Sequence, residues 1–211
     1  MLEKVRAFWI TGVLERSLHG EALIRLRMNE QPDTVARPWQ MVLQEAEELA
    51  HPLPSGTSIV DVYDRAGKEL LILGAPGSGK TTQLLELARE LLDRAEKDNT
   101  LPMPVVFNLS SWAVKRQPIK QWLIEEMNTK YQVPKRLGQS WVETDQVLPL
   151  LDGLDEVNIE HRAECVDSIN IYRREHGLVP TVVCSRIADY LALPNRMLLQ
   201  NAVALQPLTV Q

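Results

Sequence analysis

The sequence predicts an α/β fold built around one buried parallel strand. The run Leu70–Leu73 is short, continuous and apolar, as in a strand covered on both faces. A glycine-rich turn follows it directly, and after Lys80 the apolar residues recur at helical spacing, at Leu84, Leu85, Ala88, Leu91 and Leu92. With 211 residues, the chain has room for one such domain and a small appendage.

The turn between this strand and helix carries the first chemical motif. It reads GAPGSGKTT, with Gly74, Ala75, Pro76, Gly77, Ser78, Gly79, Lys80, Thr81 and Thr82. The spacing G-x-x-x-x-G-K-[ST] is that of a phosphate-binding P-loop, in which backbone N–H groups and the helix dipole face a polyphosphate. We predict that all nine residues bind nucleotide, that Lys80 reaches the β- and γ-phosphates, and that the Thr81 hydroxyl ligates Mg²⁺. The strand and helix around the loop disfavour a turn that binds nothing.

A second apolar run ends in acidic residues and carries the second motif. Residues 147–156 read VLPLLDGLDE. A carboxylate at the carboxyl end of a parallel strand beside a P-loop is placed to hold Mg²⁺, so we assign Asp152 to the metal. We assign Glu156 to polarising the attacking water, with Asp155 as a competitor for that role. The alternative is an acidic turn that caps the next helix, and Pro149 is unusual within a central strand.

Further short apolar runs complete the predicted sheet. They are Val105–Leu109, Thr181–Cys184 and Ala202–Leu205. Arg186 follows the second of these runs closely, at a strand end where an arginine can contact a γ-phosphate. An arginine at that position can equally pair with Asp152 or Asp155 and only hold the loop, and the sequence leaves both roles open.

Residues 1–54 form an N-terminal segment of mixed character. Apolar residues at helical spacing predict a helix over Glu3–Leu18. Ile24, Leu26 and Met28 then alternate with arginines, as in a half-buried strand. A polar connector follows, and Trp39–Ala50 has helical propensity.

Composition excludes several classes of partner. The net charge of −5 and the pI of about 5.5 give no general basic surface, so nucleic acid is not indicated. Cys165 and Cys184 form no CxxC pair, and we predict that Cys184 is a buried core thiol in a reducing interior. No apolar stretch approaches the roughly 18 to 20 residues that span a bilayer. We therefore expect a cytoplasmic protein with no membrane partner and no signal peptide.

Together these motifs resemble the NACHT branch of the STAND class of P-loop NTPases. The resemblance rests on GAPGSGKTT at 74–82, LLDGLDE at 150–156, CSR at 184–186 and LQPLT at 205–209. It covers residues 55–211 and implies a three-layer core with a five-stranded parallel sheet of order 5-1-4-3-2, counted from the P-loop strand. It also implies Mg²⁺-dependent binding of ATP or GTP, slow hydrolysis, and a switch that controls self-association in signalling or defence.

The same resemblance implies further domains and leaves alternatives to compare. Family members continue into a helical lid and a winged-helix domain that close over the nucleotide, so we expect a core truncated after its nucleotide-binding part, with weak turnover. The sequence contains no N-K-x-D motif, which a GTPase would use to bind guanine, and no arginine-rich lid segment of the kind that a small-molecule kinase has. Both classes are therefore disfavoured. A nucleotide-binding scaffold that does not hydrolyse shares every binding residue with the switch and remains an alternative.

Overall fold

The computed structural model describes residues 1–15, the backbone of 28–30, and residues 53–54, 57–177 and 179–205. Within these ranges a six-stranded sheet is layered between helices. Its strands are β1 Met28–Glu30, β2 Leu70–Gly74, β3 Met103–Asn108, β4 Val147–Asp152, β5 Val182–Arg186 and β6 Asn201–Leu205. The predictions for residues 24–27 and for Trp39–Ala50 lie outside the described residues.

The helices of the described ranges mostly alternate with these strands. They are α1 Leu2–Val5, a π-helix Arg6–Leu14, α2 Ile59–Arg65, α3 Lys80–Lys97, α4 Trp112–Lys115, α5 Ile119–Tyr131, α6 Lys135–Glu143, a 3₁₀ turn Leu154–Glu156, α7 Ile159–Glu175 and α8 Ile187–Leu191. The buried face of α3 includes the apolar residues whose spacing predicted this helix. None of these helices is long and apolar enough to cross a bilayer.

The strand order confirms the predicted fold class. The order is β1-β6-β2-β5-β4-β3, and β2 to β6 form an all-parallel core. Counted from the P-loop strand β2, this core has the predicted order 5-1-4-3-2. Strand β1 adds an antiparallel edge, with Met28 opposite Leu205. The carboxyl ends of the parallel strands, which carry the predicted site residues, therefore share one edge of the sheet.

Strand β4 explains how Pro149 is accommodated near the centre of the sheet. The carbonyl of Asp152 accepts a hydrogen bond from the N–H of Leu109, next to β3, at 2.9 Å. Because alternate residues of a parallel strand face opposite neighbours, Pro149 faces β5. Pairing of β4 with β5 begins only at Leu150. The missing N–H of the proline thus falls where this ladder has not yet begun.

The N-terminal helical segment packs against α3 and, at its start, against β3. Arg6 pairs with Asp93 at 2.6 Å and with Glu96 at 3.1 Å. The indole N–H of Trp9 donates to the Tyr131 hydroxyl at 2.7 Å. A helix at the start of the chain is thus confirmed over residues 2–14, mostly as a π-helix rather than an α-helix.

Two buried features of the core bear on chemistry. Cys184 is free and buried, as predicted, Cys165 is also free and buried, and burial raises the pKa of both thiols. At the amino end of β2, Glu69 pairs with Arg173 of α7 at 2.7 Å, with both side chains almost fully buried. This pair lies at the opposite end of β2 from the P-loop.

Candidate nucleotide-binding site

The P-loop has the backbone that its glycines predict. Strand β2 ends at Gly74 and α3 begins at Lys80. Gly77 has φ of +72° and Gly79 has φ of +83°, both in the left-handed region that favours glycine. A Cβ on Gly74 would lie 2.3 Å from the Ser78 hydroxyl oxygen. The backbone conformation favours glycine at positions 77 and 79, and the close approach of Ser78 requires glycine at position 74.

Two polar groups of the loop, on Lys80 and Ser78, have only neutral carbonyl partners or no partner among the described residues. The Lys80 ammonium donates to the carbonyls of Gly74 and Ala75 at 3.2 and 3.0 Å. The Ser78 hydroxyl is buried and has no hydrogen-bond partner among the described residues. Bonds from an ammonium to phosphate oxygens are charge-assisted and stronger than bonds to neutral carbonyls. The Lys80 ammonium can therefore exchange these carbonyls for the oxygens of a polyphosphate.

The remaining loop residues occupy the rim and the first helical turn. Pro76 and Gly77 are exposed at the tip of the loop, and Ala75 is half-buried beside it. Thr82 is half-buried in the first turn of α3. The nine predicted residues thus form one continuous strand end, loop and helix start.

The two predicted metal ligands are in direct contact. The Thr81 hydroxyl donates to the Asp152 carboxylate at 2.9 Å, joining the start of α3 to the end of β4. Asp152 is buried, and burial raises its pKa while the Thr81 hydrogen bond partly offsets this rise. A hydroxyl and a carboxylate are hard oxygen ligands of the kind that Mg²⁺ prefers.

The rest of a metal coordination sphere would come from the nucleotide and water. Among the residues that the structure describes, no group of three His, Cys, Asp or Glu could hold a metal ion. Magnesium commonly keeps several waters and binds through one or two carboxylates plus substrate phosphates. The Thr81 and Asp152 pair therefore fits Mg²⁺ delivered with a nucleotide.

The acidic turn after β4 presents Glu156 outward. Gly153 has φ of +78°, and the 3₁₀ turn Leu154–Glu156 follows it. The Glu156 carboxylate is exposed and accepts a hydrogen bond from the side-chain amide of Asn108 at 3.0 Å. A Cβ on Gly153 would lie 2.8 Å from the Glu156 carboxyl carbon. Glycine at this position leaves room for that glutamate.

Arg186 pairs with Asp155, which is the second of its two predicted roles. Its Nε lies 2.8 Å from Asp155 Oδ2, and its backbone N–H donates to Asp155 Oδ1 at 3.0 Å. Both oxygens of Asp155 are therefore engaged. Glu156 keeps the exposed carboxylate of the acidic pair and is the better candidate for contacting water.

Two further residues reach the acidic turn and were not predicted. Asn108 ends β3 directly opposite Asp152, so a polar residue at the end of a neighbouring strand was the signal for it. Arg162 donates to the backbone carbonyls of Asp155 and Val157. It occupies an ordinary position in α7, and no local sequence signal marks it.

The fold and the loop together fit a P-loop NTPase at the level of architecture. The parallel strand order, the loop between β2 and α3, and the contact of Thr81 with Asp152 are the defining features.

The similarity of this chain to known proteins is confined to solved structures. No protein-family model matches the chain, and no curated protein matches it. Among solved structures, the chain is similar to PCH-2 of C. elegans, with a TM-score of 0.37 and 14% sequence identity. The match covers 71% of this chain and 40% of that one, so this chain spans less than half the length of PCH-2. A likeness at this level carries no argument about activity.

Proposed function

We propose that this chain is a Mg²⁺-dependent nucleotide-binding core that binds ATP in preference to GTP and hydrolyses it slowly. The observation that carries the proposal is the 2.9 Å contact between Thr81 and Asp152, beside the P-loop lysine. A strand-end carboxylate and a P-loop hydroxyl meet at the place where a metal-bound triphosphate needs them. The absence of an N-K-x-D motif favours ATP.

Each site residue has a role in this proposal. Residues 74–82 wrap the phosphates with backbone N–H groups, and the Lys80 ammonium contributes positive charge. Thr81 and Asp152 hold Mg²⁺, which neutralises charge on the β- and γ-phosphates when bound. Glu156 orients the attacking water and accepts its proton. Asp155 and Arg186 fix the turn that presents Glu156, and contact of Arg186 with the γ-phosphate is part of the same proposal.

Its biological setting is proposed from the sequence resemblance alone. The motifs at 74–82, 150–156 and 184–186 support a NACHT-type switch of the STAND class, in which bound nucleotide controls self-association. Lid and sensor domains of a longer protein and a cytoplasmic location belong to the same proposal. Residues 1–54 and 55–211 are its N-terminal segment and nucleotide-binding core.

A thermal-shift series tests nucleotide binding. ATP, GTP and ADP are added to the wild type and to Lys80→Ala, each with and without Mg²⁺. A ligand at about 100 times its dissociation constant stabilises the fold by about 2.7 kcal/mol, which is readily visible. We expect the largest shift for the wild type with ATP and Mg²⁺ and almost none for Lys80→Ala. Equal shifts in both proteins would refute P-loop binding.

Release of phosphate separates the switch from the non-hydrolysing scaffold. The observation that favours the scaffold is the pairing of Arg186 with Asp155, in which the arginine holds the loop. We expect Glu156→Gln to bind ATP like the wild type and to release phosphate at least about 100-fold more slowly, as for loss of a general base. Equal turnover in the two proteins would remove Glu156 from the mechanism, and absence of turnover in the wild type would leave the scaffold.

A further inference from the structure

We propose that Arg162 is a positioning residue for hydrolysis, because it holds the backbone on both sides of Glu156. This inference rests on the proposed function and adds a residue that no motif contains. Arg162 lies in α7, outside the P-loop, the acidic turn and the strand ends. It acts on the reaction through Glu156 and does not itself contact the phosphates.

The guanidinium of Arg162 uses all three of its nitrogens. Nη2 donates to the carbonyl of Asp155 at 2.7 Å, and Nε donates to the carbonyl of Val157 at 2.9 Å. Nη1 donates to Asp189 Oδ1 of α8 at 2.6 Å. The side chain is mostly buried. Each bond comes from a charged donor, so each is stronger than a neutral hydrogen bond.

The two carbonyls belong to the residues directly before and after Glu156. Holding the peptide group before Glu156 and the one after Val157 restrains the short stretch of backbone from which the Glu156 side chain leaves. The turn is a single 3₁₀ turn that begins after the left-handed Gly153, and the bonds from Arg162 add to the pairing of Asp155 with Arg186. The Glu156 side chain itself is exposed and is held by Asn108. A displacement of about 1 Å at a reacting group can cost 100-fold in rate.

The contact with Asp189 joins Arg162 to α8, the helix that follows Arg186 at the end of β5. Asp189 lies three residues after Arg186, and Arg186 pairs with Asp155. Two ion pairs therefore link these elements. Arg186 at the end of β5 pairs with Asp155 of the acidic turn, and Arg162 of α7 pairs with Asp189 of α8. Lysine cannot replace arginine here, because a single ammonium cannot reach three acceptors in the fork geometry of a guanidinium.

Single-turnover release of phosphate from Mg·ATP tests this role, with the dissociation constant of Mg·ATP measured in parallel. The variants are Arg162→Lys and a matched control, Arg94→Lys. Arg94 also uses all three nitrogens, on Asp64 and Glu90, and lies about 21 Å along α3 from the P-loop. We expect Arg162→Lys to slow turnover about 10- to 100-fold and to change the dissociation constant less than about twofold. Arg94→Lys should change neither quantity.

The arms of the experiment separate this inference from the proposed function. Wild-type turnover above that of Lys80→Ala supports hydrolysis, and its absence overturns both the hydrolysis and the inference. With wild-type turnover present, unchanged turnover in Arg162→Lys overturns the inference alone. A parallel loss of affinity and turnover also overturns it, because loss of folded protein or of nucleotide binding would explain both. Asp189→Asn, which keeps an acceptor for Nη1, should slow turnover less than Arg162→Lys does.

Discussion

Strand β2 has an arginine–carboxylate pair at each end, and the two pairs have different surroundings. At its amino end, Glu69 and Arg173 lie 2.7 Å apart, with side chains 8% and 0% exposed. At its carboxyl end, beside the P-loop, Arg186 and Asp155 lie 2.8 Å apart, with side chains 49% and 8% exposed. The carboxylate is buried at both ends, but the arginine is buried at the amino end and half exposed at the carboxyl end.

This difference separates stability from function. A buried charge that loses its partner is left without water or a counter-charge, so the enclosed pair can hardly change without cost to the fold. A half-exposed arginine can exchange its partner for water or for an anionic ligand at little cost. We therefore expect the amino end of β2 to respond to mutation in stability and the carboxyl end to respond in nucleotide chemistry.

Breaking the enclosed pair should give the largest effect. Arg173→Met leaves Glu69 buried without its counter-charge, and we expect a loss of about 3–5 kcal/mol in the free energy of unfolding. Urea denaturation measures this loss. The folded fraction should still bind Mg·ATP with the wild-type affinity, since Arg173 lies far from the P-loop at the other end of the sheet.

The double variant provides the control for this prediction. Glu69→Met with Arg173→Met removes both charges, and replacing a buried ion pair by apolar groups often costs little. It should therefore be more stable than Arg173→Met alone. A double variant that is less stable than the single one would show that packing, not the uncompensated charge, sets the cost.

Loss of one metal ligand at the carboxyl end should give an intermediate effect. Thr81→Ala removes the hydroxyl that faces Asp152, and we expect the affinity for ATP with Mg²⁺ to fall about tenfold, or about 1.4 kcal/mol. Isothermal titration without Mg²⁺ should show no such difference. Thr81→Ser keeps the hydroxyl and should bind like the wild type. An equal loss with and without Mg²⁺ would argue against a metal role for Thr81.

The open pair should give the smallest effect on stability. Arg186→Gln removes a half-exposed guanidinium, while the backbone N–H of residue 186 still bonds to Asp155. We expect a smaller loss in the free energy of unfolding than for Arg173→Met, because the buried Asp155 keeps this backbone hydrogen bond and lies next to a half-exposed position. Urea denaturation beside Arg173→Met checks this directly. Losses of equal size at both ends would remove the contrast between the two pairs.

Local sequence signals predicted the parts of the site that depend on local chemistry. The P-loop spacing predicted residues 74–82 and the acid at the end of an apolar run predicted Asp152, and the structure brings Thr81 and Asp152 into contact. The strand order followed from the family resemblance and is confirmed. Pairing of Arg186 with Asp155 was one of two stated alternatives.

The remaining contacts depend on tertiary packing between distant residues. Glu69 and Arg173 are far apart in the chain, and each alone is an unremarkable charged residue. Arg162 binds backbone carbonyls, which carry no side-chain signature in the sequence. The sequence predicted a helix at residues 6–14 but not its π-helical geometry, because loosely spaced apolar residues do not distinguish a π-helix from an α-helix.

Electron paramagnetic resonance of Mn²⁺, used in place of Mg²⁺, tests the central claim most directly. The claim is that the P-loop and the end of β4 hold one metal ion together with the nucleotide. We predict one bound Mn²⁺ per chain that appears only with ATP, and a strong loss of this signal in both Lys80→Ala and Asp152→Asn. Equal ATP-dependent Mn²⁺ binding in the wild type and Asp152→Asn would contradict the account.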